Sequence, residues 1–417
     1  MPRTIAEKIL SAKAQRDVSP GEIVEAEVDY VMVNDITAPA AFDEFEGMCT
    51  PMLEKKVVLI PDHYVPNKDV ASAIQAKKMR SFAKRHGVRN YFEVGSGGVC
   101  HQVMIEAGFV APGRLIVGAD SHTCSYGALG AFATGIGSTE AATVFARGVL
   151  WFKVPESMRF TVDGQLGKHV MGKDVILTII GDIGVEGALY RSMEVQGTAV
   201  SSLSVSDRVT ISNMGIEAGA KACIVPPDAK VDEYLKGRAR GPYSKVLADP
   251  GATYFDSREY AAEEIVPVVA KPFLPSNVAP ASEVGVEIDQ AYLGSCTNGR
   301  IEDLRVAAAI LRGRKVKEGV RLLVVPASKQ VFDQAMAEGL FKVFSDAGAY
   351  ISGPTCGACL GGYMGVLAPG ERCVSTTNRN FVGRMGHKDS EVYLASPAVV
   401  AASAVAGRIV DPSEVVG

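Results

Sequence analysis

The stretch AYLGSCTNGR, residues 291–300, decides the fold, because an apolar run ends in a glycine and polar and thiol side chains follow it at once. Other apolar runs end in the same way. They are KVVLIP at 56–61, before Asp62; RLIVGA at 114–119, before Asp120; RLLVV at 321–325, before Pro326; and 373–376, before Thr377. Ala-rich helical stretches alternate with these Val- and Ile-rich runs, which predicts an α/β fold with mostly parallel sheets. Because open α/β sheets bind ligands beyond the carboxyl ends of their strands, we expect an active site built from these polar segments.

Cys296 of this stretch is joined by Cys356 and Cys359 of PTCGACLG, residues 354–361. Three thiolates can ligate three irons of a cubane iron–sulfur cluster, whereas ligation of all four irons takes four protein ligands. A three-cysteine site therefore leaves one iron open. An open iron is a Lewis acid that can polarise a substrate hydroxyl or carboxylate. The pattern predicts a hydro-lyase rather than an electron carrier.

Other interpretations of these cysteines stay open on spacing alone. A Cys-x-x-Cys pair also occurs in thioredoxin-like redox proteins and in zinc sites, and buried cysteines are often only structural. A thioredoxin-like site would need a small βαβ domain around the motif. A structural zinc site usually takes four ligands in two close pairs, and the sequence shows no second pair.

The composition is that of a globular protein with large cores. Of 417 residues, 47% are hydrophobic and 22% are charged. The net charge is -4, and the sequence contains no basic block and no acidic tail. Nucleic acid and membrane surfaces are therefore not expected partners. The N-terminus lacks the apolar region of a signal peptide, and no apolar run is long enough to span a membrane. With eight scattered cysteines, we expect a cytoplasmic protein with thiols or metal ligands rather than a disulfide framework.

Changes in composition predict three domains. A new segment begins after Glu156, with a strand at 158–162 and a helix at 173–180, and prolines between 267 and 280 mark an irregular connection into the last part. We therefore expect α/β domains at 1–157, 158–284 and 285–417, with the three motif cysteines in the last.

Two clusters place an acid beside an imidazole. Asp62-His63 follows a predicted strand, and a carboxylate can fix the tautomer of a histidine and raise its basicity, although an exposed loop pair would have the same sequence. Asp120-Ser121-His122 combines acid, hydroxyl and imidazole without the G-x-S-x-G surround of a hydrolase nucleophile. This cluster indicates binding or proton transfer as readily as a structural turn.

Weaker signals lie between these clusters. His101 is a lone histidine in an apolar-flanked turn, where a structural role is common. Asn213 and Glu217 stand four apart at the predicted start of a helix and so share a face. The glycine-rich segment 134–140 lacks the dinucleotide fingerprint and the P-loop motif, which predicts a tight turn with a hydroxyl side chain capping the next helix.

Asn378, Arg379 and Arg384 follow the predicted strand at 373–376. Arginine is suited to bidentate recognition of carboxylates. Two arginines near an open iron would suit a di- or tricarboxylate, and the alternative is a pair of surface arginines in salt bridges.

Taken in order along the chain, six segments together resemble the aconitase superfamily, in the branch that holds the large subunits of isopropylmalate isomerase and homoaconitase. They are Asp62-His63, 98–102, 118–123, 294–300, 356–362 and 378–384. The resemblance covers essentially the whole chain. It implies three α/β domains around a [4Fe-4S] cluster held by Cys296, Cys356 and Cys359, with one iron lacking a protein ligand.

The resemblance also implies roles for the polar residues. The acid–imidazole pairs would be Asp62 with His63, His101 with Asp120, and His122 with Glu217. In the second pair, the histidine would protonate the departing hydroxyl. The substrate-binding residues would be Ser121, Asn213, Asn378, Arg379 and Arg384.

Single-chain members of the superfamily carry a fourth, swivelling domain with a catalytic serine and a substrate-binding arginine. This chain stops at Gly417 without it, so the resemblance implies a heterodimer in which a separate small subunit supplies the catalytic base and a specificity loop. The implied substrate is isopropylmalate, in leucine biosynthesis, with homoaconitate or a methylated malate as alternatives. A cluster-based sensor or a redox protein is the alternative of a different class.

Overall fold

A computed structural model describes residues 1–416. It is an α/β structure, as predicted. The strands are β1 (Ile23–Glu27), β2 (Tyr30–Asn34), β3 (Val57–Ile60), β4 (Leu115–Gly118), β5 (Phe132–Gly135), β6 (Val149–Lys153), β7 (Ser157–Asp163), β8 (Ser192–Gln196), β9 (Ala222–Ile224), β10 (Asp256–Ala261), β11 (Val268–Ala270), β12 (Val278–Pro280), β13 (Gln290–Leu293), β14 (Arg321–Val324), β15 (Tyr350–Ile351), β16 (Arg372–Ser375) and β17 (Glu391–Ala395).

Helices connect most of these strands. The α-helices are α1 (Ile5–Ala14), α2 (Ala38–Gly47), α3 (Val70–His86), α4 (Cys100–Glu106), α5 (Ser138–Arg147), α6 (Gly172–Ile183), α7 (Thr198–Ser202), α8 (Val205–Met214), α9 (Ala229–Leu235), α10 (Ser295–Asn298), α11 (Ile301–Leu311), α12 (Lys329–Ala337), α13 (Leu340–Ala347), α14 (Pro397–Ala406) and α15 (Ser413–Val416). The 3₁₀ helices are Ser121–Leu129, Gly215–Ala218, Ala262–Glu264, Ala281–Glu283 and Gly357–Leu360. No helix among the described residues is long and apolar enough to cross a membrane.

The chain forms two compact units. Unit 1 consists of Met1–Asp163 and Ala188–Tyr260. It holds a parallel sheet in the order β3-β2-β4-β5, an antiparallel pair of β1 and β6, and a sheet in the order β10-β7-β8-β9. In the first sheet, β3 and β4 are buried at every position, as expected for parallel strands covered on both faces.

Unit 2 consists of Gly164–Gly187 and the chain from Ala261 onward. Its seven-stranded sheet has the order β12-β11-β17-β16-β13-β14-β15. The strands from β17 to β15 pair in parallel, and the antiparallel pair of β11 and β12 extends the β17 edge. Helices α11 and α14 pack in the core beside this sheet, with Leu304 and Val399 fully buried.

The predicted strands are confirmed with small shifts at their ends. The apolar runs at 56–61, 114–119, 291–294, 321–325 and 373–376 form β3, β4, β13, β14 and β16. The strand at 158–162 and the helix at 173–180 correspond to β7 and α6. The division into three domains stays a prediction.

Two local predictions are wrong. Asn213 does not open a helix: it is the penultimate residue of α8, and Glu217 lies in the 3₁₀ turn that follows. The cap of α5 is not a hydroxyl side chain. Gly137 occupies the cap position, and the Glu140 carboxylate accepts a hydrogen bond from its backbone N–H at 2.5 Å, which satisfies one of the free donors of the first turn.

Candidate active site

The first acid–imidazole pair lies directly after β3, where Asp62 is fully buried and His63 nearly so. His63 Nδ1 lies 2.6 Å from Asp62 Oδ1. The other carboxylate oxygen of Asp62 accepts the backbone N–H of Cys100 at 2.8 Å. Since Cys100 is the first residue of α4, this bond ties the end of β3 to the start of the helix that carries His101.

His101 lies between two polar partners. Its Nε2 is 3.0 Å from Asp120 Oδ1, and its Nδ1 is 3.1 Å from the Tyr126 hydroxyl. Asp120 follows β4 and caps the next 3₁₀ helix, where its Oδ1 also accepts the backbone N–H of His122 at 2.8 Å. One carboxylate therefore orients one imidazole and the start of the segment that carries another.

The third pair joins two distant parts of unit 1. His122 Nε2 lies 2.9 Å from Glu217 Oε1, and both side chains are buried. Nearby in sequence, Asn213 donates its side-chain N–H to Ser125 Oγ at 2.8 Å. The Ser121 hydroxyl is 3.5 Å from His122 Nδ1. The structure thus forms all three of the acid–imidazole contacts that the resemblance implies.

Neighbouring charges shift the pKa values of His63 and Asp120 in opposite directions. Burial opposes the positive charge of His63, but the carboxylates of Asp62, Asp120 and Asp35 outweigh it and raise the pKa of His63 to about 10. Burial likewise opposes ionisation of Asp120, yet the contacts with His101 and His122 hold the pKa of Asp120 well below its usual value. At neutral pH this cluster therefore contains an imidazolium at His63 and a carboxylate at Asp120.

The three motif cysteines lie in unit 2, beyond the carboxyl ends of its parallel strands. Cys296 is in α10, directly after β13, and Cys359 is in the 3₁₀ helix that Cys356 precedes. All three are free thiols and at most 5% exposed. Asn378, which follows β16, links two of them, because its Nδ2 lies 3.4 Å from Cys296 Sγ and its Oδ1 lies 3.7 Å from Cys359 Sγ.

Two close approaches shape this cysteine site. Ser295 adopts a left-handed backbone with φ 75°, which holds its hydroxyl 3.8 Å from Cys296 Sγ and 3.9 Å from Cys359 Sγ. Gly357, at φ 63°, packs against Tyr292, so that a Cβ at this position would lie 2.3 Å from the phenolic oxygen. That hydroxyl donates a hydrogen bond to the carbonyl of Cys356 at 3.1 Å, which leaves little room for a side chain.

The residues present fit an iron–sulfur cluster better than a single metal ion. Four thiolates around one zinc at about 2.3 Å would bring their sulfurs within roughly 4 Å of each other. Among the described residues, the one group of three candidate ligands that are within 4.8 Å of one another is Asp35, Asp62 and His63, not the cysteines. The three cysteine sulfurs are therefore spaced more widely than the ligands of a single metal ion, and such spacing suits thiolates that each ligate a different iron. Polar donors on Ser295, Asn378 and Arg384 point at the sulfurs and suit an anionic group.

Of the two predicted substrate-binding arginines, Arg384 lies beside a motif cysteine, whereas Arg379 is partly exposed. Arg384 Nη2 lies 3.9 Å from Cys359 Sγ, so this guanidinium is part of the cysteine site. Arg379 follows Asn378 directly and is partly exposed. Both side chains are in unit 2, on the segment after β16.

Sequence reasoning missed three charged side chains. Asp35 follows β2, and its carboxylate accepts the backbone N–H groups of Asp62, His63 and Tyr64 at 2.8 to 3.0 Å. Asp35 is predictable from the sequence, because it directly follows the largely apolar run of β2, just as Asp62 and Asp120 follow theirs. Arg300 donates to the carbonyl of Cys296 at 2.8 Å. Lys173 is fully buried in α6 and donates to the carbonyls of Thr376 and Thr377, and no sequence signal indicates this contact across more than 200 positions.

Comparison with known proteins identifies close relatives of the whole chain. The family model described as Aconitase family (aconitate hydratase) matches residues 7–286 and 279–407. Proteins named 3-isopropylmalate dehydratase large subunit are 54% identical in Thermodesulfovibrio yellowstonii, with 99% of both chains covered, and 56% identical in Syntrophus aciditrophicus, with 99% of this chain and 100% of the relative covered. The large subunit 1 of the same name in Pyrococcus abyssi is 54% identical, with both chains fully covered.

A solved structure supports the fold alone. The holo-form of aconitase X from Thermococcus kodakaraensis aligns with a TM-score of 0.50 at 12% identity, covering 89% of this chain and 88% of that one.

Proposed function

The chain belongs to the aconitase family, and on that premise we propose that it is the large subunit of a 3-isopropylmalate dehydratase. This hydro-lyase interconverts 2-isopropylmalate and 3-isopropylmalate by dehydration and rehydration in leucine biosynthesis. The observation that carries the proposal is more than 50% identity over the full length of large subunits of that name.

Membership in the family implies an iron–sulfur cluster. We propose one [4Fe-4S] cluster per chain, with Cys296, Cys356 and Cys359 as its protein ligands. When bound, such a cluster supplies a Lewis acid at its unligated iron. The support from this chain is the burial of the three thiols and the donors aimed at their sulfurs.

His101 is the proposed proton donor to the departing hydroxyl. Its contact with Asp120 at 3.0 Å fixes the orientation of the ring, as the positioning of a general acid requires. The other ring nitrogen, Nδ1, lies 3.1 Å from the Tyr126 hydroxyl, so a proton can pass from it to the departing hydroxyl only when the substrate takes the place of that contact. Loss of Asp120 should therefore lower turnover by releasing His101 as well as by removing charge.

His63 has a different role in this proposal. A pKa of about 10, set by neighbouring carboxylates against the cost of burial, keeps its imidazole charged at neutral pH. A permanently protonated group is a poor proton acceptor, but it can stabilise negative charge that develops on a substrate. We assign His63, which Asp62 keeps protonated, to this electrostatic role, and His122 with Glu217 to the orientation of the neighbouring segment.

The substrate is a hydroxy-dicarboxylate, for which guanidinium groups and amides are suitable partners. The residues proposed to bind it are Ser121, Asn213, Asn378, Arg379 and Arg384. Arg384 is placed next to Cys359, where it could hold a carboxylate close to the cluster ligands.

The name of the relatives implies a separate small subunit as partner. We propose that this subunit, which corresponds to the swivelling domain of single-chain members, supplies the catalytic base and the loop that selects the substrate. A cytoplasmic location stays a prediction.

The test is an initial-rate assay of the cluster-loaded chain with a small subunit from one of the named relatives. The substrates are 2-isopropylmalate, homoaconitate, dimethylmalate and citrate, each supplied to the chain alone and to the pair. The proposal expects turnover of 2-isopropylmalate by the pair and none by the chain alone. Faster turnover of homoaconitate or dimethylmalate would show that this compound, and not 2-isopropylmalate, is the substrate. Full activity of the chain alone would show that catalysis does not need the partner. No turnover of any substrate would favour a sensor or redox protein.

A further inference from the structure

Asp35 lies at the end of the strand that separates two of the acid–imidazole pairs. β2 stands between β3 and β4 in the sheet, so the residues after it can reach the polar segments that follow both neighbours. Asp35 directly follows β2 and is 1% exposed. A buried carboxylate is costly unless it is hydrogen-bonded or paired. The partners of Asp35 therefore show which part of the molecule it holds in place.

Three successive backbone N–H groups are the partners of this carboxylate. Asp35 Oδ1 accepts the N–H of Asp62 at 3.0 Å and that of His63 at 2.9 Å. Asp35 Oδ2 accepts the N–H of Tyr64 at 2.8 Å. Hydrogen bonds to a charged acceptor are stronger than those between neutral groups. Because residues 61–64 belong to no helix or strand, these three bonds fix a segment that has no regular structure of its own.

This segment directs the His63 ring. His63 Nδ1 lies 2.6 Å from Asp62 Oδ1 and 3.8 Å from Asp35 Oδ1. On the other side of the ring, Nε2 lies 4.0 Å from Asp120 Oδ2. Because the imidazole ring is rigid, a shift of the backbone at 62–64 moves both nitrogen atoms relative to these oxygens. The bonds that Asp35 accepts thus determine where the ring lies between the carboxylates.

The residue before Asp35 makes a contact on the side of β4. Asn34 Oδ1 accepts the backbone N–H groups of Ile36 and Thr37 at 3.1 and 3.2 Å. Its Nδ2 is thereby directed the other way and lies 3.4 Å from Asp120 Oδ2, which is long for a hydrogen bond. The stronger of the two links from the end of β2 is therefore the one that Asp35 makes to the segment after β3.

A metal ion is the alternative role for this cluster, since Asp35, Asp62 and His63 offer ligand atoms within 4.8 Å of one another. The hydrogen bonds argue against that role. Asp35 Oδ1 accepts two N–H groups, Asp62 Oδ1 contacts the ring, and Asp62 Oδ2 accepts the N–H of Cys100. A metal ion would have to displace these contacts, whereas a positioning role uses them as they are.

We propose that Asp35 is a positioning residue for His63: its carboxylate fixes the backbone of residues 62–64 and thereby places the imidazole between Asp62 and Asp120. For its effect on turnover, this inference rests on the proposed function, in which His63 stabilises negative charge on the substrate. Such stabilisation depends on groups that are held in place before the reaction. A misplacement of about 1 Å can lower turnover about a hundredfold.

The first test uses the cluster-free chain and needs no turnover. Asp35→Asn keeps the size of the side chain but replaces one acceptor oxygen by an NH2 group, which cannot accept the N–H donors of 62–64. Asp29→Asn is the matched control, because Asp29 is partly buried at the opposite end of the same strand and accepts the backbone N–H of Leu115 at 2.7 Å. Nuclear magnetic resonance of the nitrogen-15-labelled chain follows hydrogen exchange at the amides of 62–64 and at the His63 ring N–H.

We expect at least one of the three amides and the His63 ring N–H to exchange about tenfold faster in Asp35→Asn, since the loss of one hydrogen bond to a charged group shifts a local opening equilibrium by about that factor. Asp29→Asn should leave these rates unchanged. Unchanged rates at all four sites in Asp35→Asn would overturn the proposal. Faster exchange at the amides alone would also overturn it, because Asp35 would then hold the backbone without affecting the ring.

The second test measures kcat and KM of the cluster-loaded chain with a small subunit from one of the named relatives, in Asp35→Asn, His63→Gln and the double variant. A residue that acts through His63 loses its effect when His63 is absent. We expect Asp35→Asn to lower kcat by about tenfold to a hundredfold with KM changed less than about threefold, and to lower kcat by less than about threefold in the His63→Gln background. Equal losses in both backgrounds would assign Asp35 to the stability of unit 1 alone and contradict the proposal.

Asp35→Glu replaces Asp35→Asn in both tests where the latter does not fold. It keeps the charge and both acceptor oxygens but displaces them by one methylene group, so we expect the same pattern with smaller changes, and wild-type exchange rates in this variant would refute the role. An inactive wild-type pair with faster exchange in the Asp35 variant would count against the proposed function and not against the placement of His63. An active pair with equal losses in both backgrounds would count against Asp35 alone.

Discussion

Substitution of Asp62 by alanine should destabilise unit 1 strongly, because this fully buried carboxylate makes two separate contacts. It lies 2.6 Å from His63 Nδ1 and accepts the backbone N–H of Cys100 at 2.8 Å. After the change, the His63 imidazole loses its nearest counter-charge and the first N–H of α4 loses its acceptor.

The size of the effect follows from the two contacts. A hydrogen bond to a charged group contributes about 1.5 to 3 kcal/mol, so two of them give about 3 to 6 kcal/mol. Breaking a buried ion pair by removing one partner costs about 3 to 5 kcal/mol. The two ranges overlap, and we expect the free energy of unfolding to fall by about 4 kcal/mol. Asp62 is fully buried, so solvent screening does not reduce this value.

The assay is urea unfolding of the cluster-free chain, followed by the fluorescence of Trp151. This is the one tryptophan of the sequence, and it lies on β6 in unit 1, so its signal reports on the unit that the substitution affects. The matched control is Asp43→Ala, which removes an exposed partner of Lys78 and should cost less than about 1 kcal/mol. An Asp62→Ala loss no larger than that of the control would refute this account of the pair.

Three other results are expected. Substituting Cys296, Cys356 or Cys359 by serine should abolish cluster assembly, whereas serine at Cys49, Cys223 or Cys373 should leave iron and sulfide content unchanged, and an iron-free Cys373→Ser protein would show that the ligands are misassigned. The pKa of His63 is raised to about 10 in the folded state, against about 6.5 in the unfolded chain, so protonation of His63 stabilises the fold fully below pH 6.5 and no longer does so above pH 10. The urea concentration at the unfolding midpoint should therefore fall between pH 7 and 10. This fall should be smaller in His63→Gln. Oxygen should inactivate the loaded enzyme by removing the unligated iron, and ferrous iron with a thiol should restore it; activity that survives aeration at full iron content would contradict the open-iron proposal.

The carboxyl ends of the strands were predictable from the sequence, because a buried parallel strand is a short apolar run and the first polar residues after that run begin the loop at its end. This local signal located Asp62, His63, Asp120 and Cys296. The sequence pattern failed at Asn213, because a helix with few charges has a similar sequence at its start and at its end. It also did not distinguish the 3₁₀ turn over Gly215–Ala218 from an α-helix.

Contacts between distant parts of the chain could not be predicted in the same way. Lys173 reaches Thr376 and Thr377 only because residues 164–187 belong to unit 2 while the chain on both sides of them belongs to unit 1. The pairing of His122 with Glu217 was available only through resemblance, since nothing in the spacing of 95 positions indicates it.

The proposed function makes this chain a hydro-lyase subunit that acts through a cluster on Cys296, Cys356 and Cys359. The most direct measurement follows 2-isopropylmalate by nuclear magnetic resonance in the presence of a small subunit and either the cluster-loaded chain or its Cys296→Ser variant. We expect the loaded chain to convert 2-isopropylmalate to an equilibrium mixture with 3-isopropylmalate, and the variant to convert none. Equal conversion by both, or no conversion by a chain shown to carry its full iron and sulfide, would contradict it.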